Sequence, residues 1–175
     1  MSENALVTWT PNDPMVLAAT AQPPEIVQRA VQLTQRDQNA IVQAFQGGAY
    51  EMAATFIWSK AIAALKKQLA VLGMEFVGEM LGRTDLNESS NPMTDIREDE
   101  AIELAEQLGM VNTTEALRLR TGQTLVNHFL DPDVSRQEQM YPDEATTIIR
   151  SCVVNFLAEP LTQTQQSFYP TAGKA

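Results

Sequence analysis

The stretch AYEMAATFIWSKAIAALKKQLAVLGMEFVGEMLG, residues 49–82, decides the fold class. Ala53, Ile57, Ala61, Leu65, Leu69, Leu72, Phe76 and Met80 recur at steps of four, four, four, four, three, four and four. That spacing returns to one face of a helix and draws a continuous apolar stripe. Met52, Phe56, Ile62 and Val77 widen the stripe, which predicts a central helix covered on more than one side. Unbroken, the helix would run about 51 Å at ~1.5 Å per residue. A globule of this chain length has a radius of gyration of only ~16 Å. The helix must therefore bend near Gly73 or Gly78, or protrude into a partner. Glycine costs about 1 kcal/mol inside a helix, so two of them predict close approach of another backbone.

Working outward, Pro24-Glu25 opens a first helix, because a first-turn proline and acid suit its unsatisfied N–H groups. It carries Ile26, Val27, Ala30, Val31 and Leu33. Thr34 with Asp37 three residues on reads as a cap for a second helix through Ile41 and Phe45, ended by Gly47-Gly48. A polar linker, residues 84–92, follows the central stretch. Thr94 starts a helix through Ile102, Leu104 and Leu108, stopped by Gly109. Asn112 caps another through Leu117, Leu125 and Phe129, ended by Asp131-Pro132. Pro142-Asp143-Glu144 begins the last, which carries Ile148, Ile149, Cys152, Val153, Phe156 and Leu157. No alternating strand pattern interrupts the series. The expected fold is all-α, an irregular or orthogonal bundle of about six helices with one long central helix. Residues 24–160 read as one helical domain in two blocks, 24–83 and 93–160. Residues 1–23 and 161–175 read as extended arms.

The arms look adhesive. Pro11, Pro14, Pro23 and Pro24 bar a regular helix, yet Trp9, Met15, Val16 and Leu17 lie among or just beyond them. Phe168 and Tyr169 play the same part in the Gln/Thr-rich tail. These six residues are the expected contacts with a protein partner or a second copy.

Charge narrows the partner. The 175 residues carry a net charge of −10. Residues 1–83 hold seven acids against six bases, so nearly all the excess lies in the second half. Such a surface repels nucleic-acid backbones and anionic lipid heads, which disfavours both as partners. No run of about 18 apolar residues offers a membrane span. One cysteine rules out an internal disulfide framework, and the first residues lack a basic, apolar leader, so the expected location is cytoplasmic.

Candidate chemistry is sparse. His128 is the sole histidine, near a helix C-terminus, and Cys152 reads as a small buried hydrophobe. Glu75 and Glu79 stand one turn apart, and Glu100 and Glu103 repeat the arrangement on a later helix. Opposed across a bundle, carboxylates can hold Mg²⁺ through oxygen ligands. The run Glu75-Phe76-Val77-Gly78-Glu79-Met80 resembles the Glu-Glu-x-Gly-Glu-Leu helix of the all-α NTP pyrophosphohydrolases. That resemblance spans about thirty residues and implies a Mg²⁺-dependent enzyme; Phe76 and Glu103 depart from the motif, which has Glu and Asp there. Read instead as a solvated acidic face, Glu79 and Glu100 are expected to be neutralisable without loss of stability. Separately, residues 101–109 resemble the first helix and turn of a helix-turn-helix, with Ala105 and Gly109 at the right spacing. That likeness would put Arg118 and Arg120 on a recognition helix; Glu115 falls where the motif takes a buried aliphatic residue. The leading expectation is a non-catalytic helical interaction subunit of a larger intracellular complex, needing no cofactor. The pyrophosphohydrolase, with Mg²⁺, and the DNA-binding regulator are the alternatives.

Overall fold

Gly73 sets the architecture. Its φ of +97° lies where only glycine is unstrained, so the helix entering it cannot continue. In the computed structural model, which describes residues 17–158, the 49–82 stretch is accordingly two helices. Preceding them are α1 (Pro23–Val27) and α2 (Gln35–Gln46); the pair itself is α3 (Tyr50–Val71) and α4 (Met74–Leu81). Then come α5 (Pro92–Asp95), α6 (Glu98–Gln107), α7 (Thr113–Phe129), α8 (Pro132–Ser135) and α9 (Pro142–Cys152), which passes into a π-helical turn, Val153–Leu157. The fold is all-α, with no strand among the described residues. Six helices have eight residues or more, and α1, α5 and α8 are single turns.

α3 is the axis. Ala53, Ile57, Ala61, Leu65 and Leu69 are all buried, as is the neighbouring file Ala54, Trp58 and Ile62. Around them pack α2, α9, α5, α6, α7 and the π turn. The expected stripe holds as far as Leu69 and then fails. Leu72 is 42% exposed, and Phe76 and Met80 are only half-buried. The reason is rotational: the turn at Gly73 resets the helical phase, and α4 presents Met74, Val77 and Gly78 inward instead. Met52 and Phe56 do not widen the buried face either, since both point outward.

Gly78 meets the expected close approach, but the backbone it meets is the chain's own. A Cβ there would sit 2.8 Å from the Arg83 carbonyl oxygen and 3.2 Å from Leu86 Cβ. Gly82, at φ +68°, turns the chain so that the Arg83 N–H reaches the Gly78 carbonyl at 2.8 Å.

Local signals placed several helix starts. The Asp37 N–H donates to the Thr34 hydroxyl at 3.1 Å, and the Glu115 N–H donates to the Asn112 side chain at 2.8 Å. Pro142 opens α9, where the Tyr141 N–H donates to Glu144 at 2.9 Å. Two starts or ends differ from expectation. α1 stops at Val27, because Arg29, Ala30 and Leu33 each donate to the carbonyl three residues back, the Ala30 carbonyl accepts from Gln38, and Gln32 bonds the Leu157 and Ala158 carbonyls. Val31 is consequently exposed, while Ala30 and Leu33 stay buried. Thr94 does not start the helix through Ile102: extended backbone at Ile96 (ψ 122°) divides α5 from α6, and α6 begins after Arg97.

Of the expected N-terminal arm, residues 17–23 are described: Leu17 and Ala18 pack half-buried against the core, and Ala19, Thr20 and Gln22 are exposed. Ala21 is buried, and Arg150 on α9 donates to the Leu17 and Ala18 carbonyls at 3.0 and 2.8 Å.

Stability should follow this division. Leu65→Ala is expected to cost about 2–5 kcal/mol and Phe76→Ala distinctly less, because a cavity opens only at the closed site. Gly78→Ala should also destabilise, since the opposing atom is backbone and cannot swing away. Urea denaturation measures all three. Equal losses for Leu65→Ala and Phe76→Ala would contradict the assignment of the core.

Candidate functional site

The four glutamates go to different places. Glu75 and Glu79 are exposed on α4, and Glu103 is exposed on α6, accepting from Gln107 at 3.2 Å. Glu100 is buried. One of its oxygens accepts from Arg83 Nη1 at 2.9 Å and from the Arg97 N–H at 3.0 Å, which closes the first turn of α6. Arg83 also donates to the Asp95 carbonyl at 2.6 Å and grips Asp85 with Nε and Nη2 at 3.0 and 2.5 Å. Hydrogen bonding to Asp85 raises the Arg83 pKa, and the same bonds hold Asp85 below the usual carboxylate range. Arg83 thus staples the chain after α4 to α5 and α6. Among the described residues no group of three or more His, Cys, Asp or Glu side chains is placed to hold a metal. The structure does not bring Glu75, Glu79, Glu100 and Glu103 together as a Mg²⁺ site.

The two arginines expected on a recognition helix are engaged with acids. Arg118 pairs with Glu115 on its own helix, and Arg120 Nη2 meets Glu106 Oε1 at 2.8 Å across the α6–α7 corner. The second oxygen of Glu115 accepts from Asn155 at 3.1 Å, which satisfies a half-buried acid at a position expected to be aliphatic. His128 is exposed, its ring edge-to-face with Phe129 at 5.1 Å. Cys152 is buried as expected, and burial pushes its thiol pKa far above the ordinary range.

Of the six expected partner contacts, only Leu17 is described; it is half-buried against the core. Trp9, Met15, Val16, Phe168 and Tyr169 lie outside the described residues.

A different surface emerges on α3. Met52, Phe56, Lys60, Ala63, Lys67 and Val71 follow steps of four, four, three, four and four, and at 3.6 residues per turn they share about a third of the circumference. Met52 is 68% exposed, Phe56 37% and Val71 86%. Lys60 Nζ lies 5.3 Å from the Phe56 ring centroid and 3.5 Å from Asp37. Lys67 has no ion-pair partner among the described residues. The two lysines, seven positions apart, were the legible signal. They mark the solvent seam of the helix, and Met52 and Phe56 fall on the same seam.

A concave feature of about 320 Å³ lies between α1 and α2. Carboxamides line it with Val27 and Val42, and among the described residues no charged side chain lines it.

The acid placements separate two outcomes. Glu100→Gln should destabilise by about 1–3 kcal/mol, because it weakens a charged hydrogen bond at a buried position. Glu79→Gln should leave stability within a few tenths of a kcal/mol, and Mg²⁺ should move the melting temperature of neither variant. Thermal denaturation reads this directly; a Glu100→Gln variant as stable as the native chain would contradict the stapling role.

Among the described residues no helix is long and apolar enough to cross a membrane. Nothing among known protein families, curated proteins or solved structures matches this chain.

Proposed function

We propose that this chain is a helical protein–protein interaction subunit of an intracellular complex, and that the outward row of α3 is its contact surface. The observation that supports this is the exposure of Met52, Phe56 and Val71 along the one helix whose other faces are most deeply buried. Single exposed hydrophobes are ordinary on a protein surface, but a row along one helix is not. From Met52 to Val71 the row runs about 28 Å at ~1.5 Å per residue, the length over which two helices pack. Met52 and Phe56 stand at i and i+4, the spacing of successive anchors on a helix face that meets a partner, and Val71 closes the row fifteen residues on. Lys67, with no ion-pair partner among the described residues, adds a cation to this face, while Lys60 is shared with Asp37, so the fitting partner is an amphipathic helix with an acid beside its apolar stripe. A lone, buried cysteine agrees with a reducing compartment.

The test is the double variant Met52→Asp with Phe56→Asp in the full chain. Both side chains are exposed, so the melting temperature should hold. The native mass of the complex isolated from the chain's own cells should fall to that of the 19.3 kDa chain alone. An unchanged mass, or a native chain that is already alone, overturns the proposal.

A further inference from the structure

We infer that the groove between α1 and α2 is the docking site for the chain's own C-terminal segment, residues 159–175. The described chain ends against Gln32, in the connection between α1 and α2. The Gln32 N–H donates to the Leu157 carbonyl at 3.2 Å, and Gln32 Nε2 donates to the Ala158 carbonyl at 2.8 Å. Gln32 stands four residues after Gln28 and three before Gln35, both of which line the groove. The described chain thus ends on the turn that joins the two helices lining the groove.

The chemistry of the two fits. Gln28, Gln35, Gln38, Asn39, Gln43 and Gln46 put six carboxamides around the groove. A carboxamide donates and accepts at once, which suits a peptide main chain. Gln38 is bound to the Ala30 carbonyl and Gln35 to Asn39, but Gln28, Gln43 and Gln46 make no side-chain hydrogen bond among the described residues. Val27 and Val42, with Pro24, supply apolar contact beneath. Residues 159–175 carry one acid, Glu159, and one base, Lys174, so this segment is neutral in a chain of net charge −10. Between those charges lie Thr162, Gln163, Thr164, Gln165, Gln166 and Ser167, with Leu161 before them and Phe168 and Tyr169 after. An uncharged amide groove selects such a segment over the acidic remainder of the chain, whose carboxylates would lose water there without gaining a cation. The length suffices: Gln35 to Gln46 spans about 17 Å of helix, which five or six extended residues cover at ~3.3 Å each.

The experiment uses the full, ¹⁵N-labelled chain with Thr164→Cys carrying a nitroxide. Cys152, buried and protonated, stays unlabelled in the folded protein. Amide signals of Gln35–Gln46 should lose most of their intensity relative to the reduced label, while those of α7 keep theirs. Adding Asn39→Glu and Gln43→Glu, both exposed, places charge in the groove without touching the core and should restore the signals. The inference is overturned by no loss, by loss centred on another helix, or by loss the charged variant does not relieve. Loss arising only when a nitroxide chain is mixed with a separate ¹⁵N chain overturns it as well, since the occupant is then a second copy.

Discussion

Enclosing α3 is the constraint on which the other helices depend. Ile57, Leu65 and Leu69 are fully buried, and each such side chain is worth roughly 1.5–3 kcal/mol over an exposed one. The enclosure needs close neighbours, and small residues provide them. Ala53, Ala54 and Ala61 leave room on α3 itself, and Gly122 does so on α7. A Cβ at Gly122 would stand 3.4 Å from the Trp58 ring and 3.5 Å from Ile148, so the α7 backbone lies directly over the tryptophan. Trp58 keeps its indole N–H satisfied by donating to Glu98 at 3.2 Å. A large apolar body inside and one polar bond at its rim join α3 to α6, α7 and α9.

The helix starts that the sequence discloses are those governed by short-range chemistry. Thr34, Asn112 and Pro142 act within one turn, and each begins its helix as read. The features that escaped depend on residues far apart. The end of α1 at Val27 follows from Gln38, Gln32 and Leu157, which supply partners that helical bonding would otherwise have used. Of the two glycines near the end of the central stretch, periodicity cannot tell which breaks it; only φ at Gly73 and the backbone facing Gly78 distinguish them. Phe76 keeps its spacing in the sequence and loses its place in the core because phase is lost three residues earlier.

The candidate sites divide in the same way. Glu100 and Glu103 are equivalent by spacing, yet one is buried and the other exposed. The difference is Arg83, seventeen residues before Glu100, which no local pattern couples to it. The row on α3 was present in the sequence as Lys60 and Lys67, although lysine alone does not mark it: Lys66 beside them is buried, its ammonium donating to the Met93 carbonyl at 3.0 Å. Reading the stripe alone drew Met52 and Phe56 inward, whereas Lys60 and Lys67 place them outward. The two surfaces then differ in character: the ridge on α3 exposes Met52, Phe56 and Val71, and the groove between α1 and α2 is lined by carboxamides.

Native-state hydrogen exchange tests the central claim, that α3 is the element everything else encloses. If it is, the amides of Ile57 to Leu69 exchange only through global unfolding. Their exchange free energy then equals the unfolding free energy from denaturant, while amides of α2 and α4 open at lower cost. Exchange of the α3 amides through local openings, at a free energy well below the global value, would contradict the account.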